Sequence, residues 1–463
     1  MASNNPGDGS RRLLQLPDNR RIANTTDSTT YSRTSSLNEA LMRNLALEDS
    51  LAENTSSISI EEGLKRMLSL KSVISTSSSF AQRQQEAVGT TPMFREIGTG
   101  SIGKVFEHPG TTFAYKLPVT DQHDKLWNNY IMHKRIESSF QQLPHFDERV
   151  EIPRCFWYAT PDTKSFWDKN VNYFPFTSEF PRKERHVLCM ERILPLPRPI
   201  RFALIDKYCP KAGSQMKVNV ANKDCMIRPY LGRVKYGSGG QFFSLRNFKL
   251  HANQIQDLGL SADDFYIGMA HALAVLHWHT KIDANDIEFV LGSSPSDEQV
   301  IRSDIGLDKV IRLTPQTSTY EEATNSTGDF TKRVISLWMI DFDDCSDITM
   351  DNDGVDKAVK AFLETNHYCP KPNTGHSYID ELWKGFSQQY IQHSDKIFID
   401  HLNRMDLCHL SRQFISKLST QTASRQQPVR ASQQAGQRSS RRAASSTAQS
   451  SSGKSRLERS WRE

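Results

Sequence analysis

Three glycines and a lysine are the residues whose types and spacing first suggest chemistry. Gly98, Gly100 and Gly103 occupy the first, third and sixth positions of a short segment, and Lys116 follows in the sequence Ala-Tyr-Lys. Because glycine lacks a Cβ, the backbone N–H groups of such a segment can approach a triphosphate closely. Lys116 would then reach the α- and β-phosphates, and Val105 would cover the adenine. A plain glycine-rich turn has the same spacing, but the downstream lysine favours nucleotide binding.

Two carboxylates five residues apart follow a predicted buried helix over about 261–278. Asp283 and Glu288 precede a short apolar run, and this order resembles the catalytic loop of protein kinases. The resemblance implies that Asp283 orients the accepting hydroxyl as general base and that Glu288 binds metal. A second register puts Lys281 in the place of the base and Asp286 in that of the metal ligand. That register predicts a pseudokinase.

A cluster of aspartates forms the third candidate group. Asp341 and Asp343 directly follow the apolar run 337–340. Oxygen ligands at the end of a strand are what Mg²⁺ needs when it bridges two phosphates. We therefore predict Asp341 and Asp343 as metal ligands together with Glu288. A solvated acidic turn is the plain alternative, but the order of the three motifs along the chain favours a metal site.

Two positions near the middle of the chain resemble the segment that joins the two lobes of a kinase. Met190 would guard the adenine pocket, and backbone groups at Glu191 would bind the adenine edge. A buried strand leaving the core gives the same pattern. In a kinase an acid on the following helix pairs with the lysine, but the aligned residue here is Asn129, and Glu137 lies two turns later. The partner of Lys116 is left open.

The elements that must position these groups follow from the apolar pattern. We predict strands and then a helix over 94–98, 103–108, 112–117 and 124–139. Another short helix is predicted over about 60–74. The predicted organisation comprises a mostly disordered N-terminal region with short helices, a small β-rich lobe, a larger helical lobe with insertions and a basic disordered tail, at 1–90, 91–190, 191–418 and 419–463.

Composition limits the classes of function and the compartment. The 463 residues carry a net charge of +5, and residues 419–463 alone carry +7. This tail could be a nuclear address or could bind nucleic acid weakly and nonspecifically, but no folded sequence-specific reader is evident. The N-terminus has no signal-like apolar core, and no run of 18 apolar residues occurs. We predict an intracellular protein, cytoplasmic or nuclear, without a membrane partner.

The cysteines argue against a metal framework. Seven are scattered along the chain and none forms Cys-x-x-Cys, so the sequence predicts reduced, mostly buried thiols and no zinc.

Several segments together resemble one known family. They are 190–193, 246–248, 283–292, 340–343 and 361–362 near 370–372. They are similar to a fungal protein-kinase-like family of unknown function whose members are often labelled zinc finger proteins. Residues 340–343 are also similar to the metal motif of aminoglycoside and choline kinases. The resemblance spans about 94–400 and implies an α+β, two-lobed protein-kinase-like fold with a small β-rich N-lobe and a larger helical C-lobe. It also implies ATP and Mg²⁺ as cofactors.

Two functions fit these residues. In the first, the protein is a nucleotide-binding, ATP- and Mg²⁺-dependent phosphotransferase that acts on a small hydroxylated molecule or an atypical protein target. In the second, the same fold is a catalytically inactive pseudokinase, a scaffold or regulator linked to a fungal biosynthetic pathway. Asn129 and Lys281 favour the second, whereas the unit from Gly98 to Lys116 and Asp341 favour the first.

Overall fold

A computed structural model of the chain describes most residues between 59 and 423. The described ranges are 59–75, 79–100, 102–119, 121–143, 149–178, 180–236, 243–295, 298–299, 305–320, 327–328 and 330–423. The predicted disorder and short helices of residues 1–58, and the predicted basic tail from residue 424 onward, lie outside these ranges. Within them the protein is a mixed α+β structure, which confirms the broad prediction of fold class.

The strands fall into two main sheets and a small hairpin. In chain order they are β1 (Val73–Ser75), β2 (Arg95–Thr99), β3 (Gly103–Glu107), β4 (Phe113–Pro118), β5 (Val150–Glu151), β6 (Cys155–Ala159), β7 (Val187–Glu191), β8 (Ile227–Tyr230), β9 (Phe248–His251), β10 (Glu288–Pro295), β11 (Glu298–Gln299), β12 (Thr327–Gly328) and β13 (Lys332–Ile340). Strands β11 and β12 pair only with each other.

The helices are distributed along the whole of the described chain. In chain order they are α1 (Ile60–Leu68), α2 (Ser79–Glu86), α3 (His123–Gln142), α4 (Lys164–Asn170), α5 (Arg198–Tyr208), α6 (Gly213–Val218), α7 (Ala252–Asp257), α8 (Ala262–Ala274), α9 (Leu307–Val310), α10 (Asn352–Glu364), α11 (Ser377–Lys396) and α12 (408–423). Both α8 and α11 end in a π-helical turn, Val275–Thr280 and Ile397–His401 respectively.

The first sheet is antiparallel in the order β2-β3-β4-β7-β6. Its first three strands agree closely with the predicted ones. The pairing of Val105 with Lys116 places the glycine-rich hairpin β2–β3 directly beside the lysine strand. An aromatic core fixes one face of this sheet, because large rings bury much apolar area at low conformational cost. Its members include Phe106, Phe113, Tyr115, Trp157, Phe166 and Phe174.

The second sheet has the order β1-β13-β10-β8-β9, with β5 added parallel to β13. Strands β10 and β13 pair antiparallel along their length, and Glu288 lies opposite Ile340. The start of β10 and the end of β13 are therefore neighbours. Glu288 is thus brought to the same edge as Asp341, which directly follows β13, although 53 residues of chain separate the two.

The predicted helix over 261–278 is present, but its last turn differs. Helix α8 packs against α11 and is buried on several sides, as its apolar sequence predicts. The π-helical turn then delivers the chain to Lys281, whose φ of 62° is left-handed. A left-handed backbone is costly for residues other than glycine. A π-helical turn often lies beside a functional segment.

The predicted helix over 60–74 is shorter than expected and is followed by a strand. Ser59 caps α1 through a hydrogen bond from Glu62 N–H, and Leu64, Met67 and Leu68 are buried against the core. The chain then turns and β1 pairs with β13. This segment therefore extends the second sheet, because its apolar residues bury more area as strand plus short helix than as one solvated helix.

The cysteines agree with the sequence expectation of mostly buried thiols. All seven cysteines are free thiols and six of them are buried. Across the described ranges, each helix is too short or too polar to traverse a lipid bilayer.

Candidate functional site

Lys116 is the centre of a polar cluster between the two sheets. Its Nζ donates to Asp343 Oδ2 at 2.8 Å, to Asp341 Oδ1 at 3.1 Å and to Asn129 Oδ1 at 3.3 Å. The residue is only 8% exposed. Burial lowers the pKa of Lys116, but Asp341 and Asp343 outweigh burial, so the net pKa lies above its usual value. Lys116 is therefore a buried cation held by two carboxylates.

The partners of Lys116 resolve the question that the sequence left open. Asn129, on α3, contacts the lysine, whereas Glu137 binds Lys134 at 3.2 Å and takes no part. The acidic partners come instead from the loop after β13. Helix α3 also holds that loop, because Asn128 Nδ2 donates to the backbone oxygen of Asp343 at 2.8 Å.

The two aspartates beside Lys116 differ in their environments. Burial raises the pKa of the Asp343 carboxyl. Burial also acts on Asp341, but the charge of Lys116 outweighs it and holds that pKa below its usual range. Asp341 has a φ of 67°. A left-handed aspartate is uncommon and is retained where the surroundings over-determine it, which is frequent at functional sites.

Asp283, the predicted general base, is engaged elsewhere in the structure. It is 5% exposed and accepts hydrogen bonds from Ser346 Oγ at 2.6 Å and from Ser346 N–H at 2.9 Å. Lys357 Nζ lies 3.9 Å away. Asp283 thus ties its segment to the loop after β13. Lys281, the base position of the second register, is exposed.

Asp286 is the exposed carboxylate of the same segment. Its N–H donates to Thr365 Oγ1 at 2.9 Å, and its φ is 57°. Burial raises the pKa of Asp286, and the charges of Asp341 and Asp344 raise it further. Asp286 therefore lies within electrostatic reach of the Lys116 cluster. From the sequence, Asp286 was a candidate only as the metal ligand of the second register. The direction of its side chain depends on the turn that contains it, and the sequence does not specify that turn.

Glu288, a predicted metal ligand, forms an ion pair. Arg228 Nη2 donates to Glu288 Oε2 at 2.6 Å. Burial raises the pKa of Glu288 to about 7, although Arg228 acts in the opposite direction. Arg228 lies on β8, in the region where the sequence indicated only turns. No sequence signal identified it, because the contact spans 60 positions.

The predicted Mg²⁺ ligands are not arranged as a metal site. Lys116 bridges Asp341 and Asp343, and Arg228 neutralises Glu288. Within the described ranges, no group of three or more His, Cys, Asp or Glu side chains could hold a metal ion. The arrangement instead presents Lys116 and Arg228 among several carboxylates at the adjoining ends of β10 and β13.

The three glycines of the β2–β3 hairpin serve different purposes. A Cβ on Gly103 would lie 2.0 Å from Leu117 O, so this glycine is needed for β3 to approach β4. A Cβ on Gly100 would meet nothing within 4 Å, and one on Gly98 would make only ordinary contacts with Val105. Gly100 N–H donates to Gly103 O at 2.9 Å and closes the turn. Only Gly100 therefore has open space beside it.

Met190 and Glu191 end β7, as the hinge prediction requires, but the Glu191 side chain is already bound. Arg154 donates to it through N–H at 2.9 Å and Nε at 3.1 Å. Met190 is half-buried and pairs with Ala114. Immediately beyond, Ile193 joins an apolar cluster. Its other members are Val290 and Trp338, with Met226 and Ile340 packed against them.

Comparison with known proteins gives one match. A family model described as zinc finger protein matches residues 337–401, a range that includes Asp341 and Asp343. No curated protein matches the chain. The family match is not to a kinase-like family, and it corrects the resemblance to a fungal kinase-like family drawn from the sequence. Because the match covers a small part of the chain, it shows similarity and not membership.

The description of that family also contradicts the prediction of no zinc. The matched range contains two cysteines, Cys345 and Cys369, and burial raises the pKa of both thiols, to about 12 for Cys369. Zinc binds thiolates and needs four ligands in a structural site. As noted above, the described part of the chain gathers no such ligand group. The residues present therefore do not fit a zinc ion, and no chemical step is assigned to one.

Proposed function

We propose that this protein binds the phosphates of a nucleotide between its two sheets, in a two-lobed, kinase-like arrangement. The observation that carries the proposal is Lys116, a buried cation on β4 whose ammonium reaches across to Asp341 and Asp343 after β13. A glycine hairpin lies beside this lysine, and an apolar cluster follows Met190. The phosphates of the nucleotide, the Lys116 cation and the adenine base would thus share one cleft.

The nucleotide would change the partners of Lys116. In the protein alone, the carboxylates of Asp341 and Asp343 occupy the lysine donors. Phosphate oxygens accept strong, charge-assisted hydrogen bonds, so a triphosphate would compete with Asp341 and Asp343 for the Lys116 ammonium. Gly100, with no neighbour within 4 Å of a Cβ position, leaves the hairpin backbone accessible to the phosphates. Binding of the nucleotide would then release Asp341 and Asp343 from Lys116, so that both carboxylates are available for phosphoryl transfer.

Phosphoryl transfer to a hydroxyl of a small molecule or an atypical protein target is the activity that we propose for this site. Asp283 is held by Ser346, whereas Asp286 is exposed near the cluster. Asp286 therefore takes the role of base in the proposal. The acceptor oxygen attacks the γ-phosphorus, its proton passes to Asp286, and the bond from that phosphorus to the bridging oxygen breaks.

A second candidate function, a catalytically inactive scaffold or regulator, is favoured by a specific observation. Glu288 is neutralised by Arg228, and Asp283 is fully engaged. Asp283 stands at the position of the catalytic base and Glu288 at that of a metal ligand. An active kinase needs both side chains free of such partners. In this alternative the nucleotide, where bound, stabilises the fold but is not consumed.

The test is thermal unfolding of the full chain with and without Mg²⁺-ATP. A ligand at a hundredfold excess over Kd stabilises the folded state by about 2.7 kcal/mol. We expect a rise in Tm for the natural protein, its loss in Lys116→Met, and an unchanged rise in Lys384→Met. Lys384 is an exposed lysine on α11 and serves as the matched control. Circular dichroism verifies that each variant is folded.

The outcomes separate the candidates. An absence of any shift at millimolar ATP in the folded natural protein would overturn nucleotide binding. A shift with phosphoryl transfer to an acceptor that Asp286→Asn abolishes, while ATP binding persists, supports the enzyme. A shift without turnover on any hydroxylated acceptor supports the scaffold.

A further inference from the structure

A basic crevice lies away from the Lys116 cluster, where α5 begins. Its lining residues are Phe80, Pro195, Leu196, Pro197, Arg201, Lys223 and Arg333. The empty space is about 200 Å³ when the adjoining solvent is counted, but the crevice itself does not admit a water-sized sphere. Three of the lining residues are cations and none is acidic. The crevice is thus narrow and positively charged.

Arg201 is a buried guanidinium without a carboxylate partner. The residue is 6% exposed, and its single hydrogen bond runs from Nη1 to Asn222 O at 3.4 Å. Its buried Nε has no partner. Burial lowers the pKa of Arg201, the charge of Arg198 lowers it further, and Asp224 acts in the opposite direction. A buried charge normally finds a counter-charge, because desolvation is otherwise uncompensated.

The start of α5 adds positive potential to the same place. The helix has 11 residues, its N-cap Pro197 makes no side-chain cap bond, and its first turn has no acidic residue. Free N–H groups at a helix N-terminus and the helix dipole both favour an anion. Lys223 contributes a further cation, and in the described chain its side chain has no ion pair. Arg333 is held by Phe330 O and forms a wall of the crevice.

We propose that this crevice binds a tetrahedral oxyanion, the phosphate or sulfate group of a small molecule, with Arg201 as its principal ligand. Lys223 is the second ligand, and the N–H groups at the start of α5 are the third. Because the crevice itself does not admit a water-sized sphere, the anion lies over its opening, which Arg201 and Lys223 both line. The proposal uses no residue of the Lys116 cluster and stands independently of nucleotide binding.

The experiment is a calorimetric titration of inorganic phosphate into the full-length Lys116→Met protein at constant ionic strength. That background removes the other candidate phosphate ligand. We expect one site per chain, filled also by sulfate but at least tenfold more weakly by acetate or chloride. Lys223→Gln should weaken phosphate binding about tenfold, and Arg201→Gln should abolish it.

Lys211→Gln is the matched control, because Lys211 is an exposed lysine nearby in sequence that does not line the crevice. It should bind phosphate with unchanged affinity. If Arg201→Gln fails to fold, Lys223→Gln alone decides. Saturable phosphate binding that is equal in Lys223→Gln and Lys211→Gln would overturn the proposal. The absence of binding at tens of millimolar phosphate would overturn it as well.

Discussion

Glu288 illustrates how one residue can report on the state of the site. It is a carboxylate at the start of β10, partly buried beside Arg228, and Tyr368, Asp341 and Asp286 lie within electrostatic reach. Burial outweighs the arginine and raises its pKa from 4.5 to about 7. The folded protein therefore retains a proton on Glu288 in a range where the unfolded chain has lost it.

The raised pKa of Glu288 predicts that the stability of the protein depends on pH. A raised carboxyl pKa means that the folded state binds more protons, so the free energy of unfolding falls as the pH rises from about 4.5 to about 7. We expect the natural protein to lose of the order of 2 kcal/mol relative to Glu288→Gln over this range. Urea unfolding at several pH values measures the difference, and buried histidines cancel because both proteins contain them.

Glu381→Gln, at an exposed position on α11, is the control for this experiment and should parallel the natural protein. A difference between Glu288→Gln and the natural protein that stays constant with pH would show that Glu288 is ionised throughout. The ion pair with Arg228 would then dominate over burial.

At the scale of elements, two glycines of the β2–β3 hairpin differ in what surrounds them. Gly103 is required because a Cβ would lie 2.0 Å from the backbone oxygen of Leu117, whereas Gly100 has no neighbour within 4 Å. The spacing of the glycines in the sequence gives Gly100 and Gly103 equivalent expected roles. The packing of β3 against β4 gives the two residues different surroundings.

Alanine substitutions at the two glycines therefore have different expected effects. Gly103→Ala should lower the free energy of unfolding by about 1–3 kcal/mol, because the strands must separate to admit the methyl group. Gly100→Ala should leave stability within about 0.5 kcal/mol but weaken ATP binding if the hairpin backbone approaches the phosphates. Equal stability of the two variants would contradict the close approach of β3 and β4.

At the scale of the whole molecule, ion pairs join the two sheets. Arg95, at the start of β2, binds Asp224 through Nη1 at 2.8 Å and Nη2 at 2.7 Å, and its Nε donates to Glu107 at 2.7 Å. Asp224 lies just before β8. Arg246, before β9, reaches back to Ile97 O at 3.0 Å. The region between β7 and α8, where the sequence indicated only insertions, thus attaches the glycine hairpin to the second sheet.

We expect Asp224→Asn to lower the free energy of unfolding by about 2 kcal/mol, since the substitution removes a charged partner from a partly buried bidentate pair. Asp406→Asn is the matched control. It breaks a similar bidentate contact with Arg404, but both side chains are more than half exposed, so the loss should be much smaller than for Asp224→Asn. Chemical denaturation measures both. Equal losses would show that the Arg95 contact is no more than a surface pair.

The sequence identified much of the local structure correctly. Strands β2, β3 and β4, helix α3 and most of helix α8 follow from apolar periodicity and glycine placement, which are properties of neighbouring residues. It also led us to expect Lys116, Asp341 and Asp343 close together, and their side chains are in contact, whereas the roles predicted for them stay a prediction. It was wrong about the length of the helix after Ser59, because the helix ends at Leu68, the chain turns, and Val73–Ser75 pairs with β13 as a strand.

What the sequence alone determined is the type and order of the elements and the residue types that they carry. The tertiary structure decided which of those residues meet. Lys116 and Asp343 are 227 positions apart, and Asp283 is bound by Ser346, 63 positions away. Such contacts depend on how two sheets and a helix pack, and no periodicity records them. The same packing buried Glu288 and Arg201: burial raises the pKa of Glu288 to about 7 and leaves the Arg201 Nε without a partner.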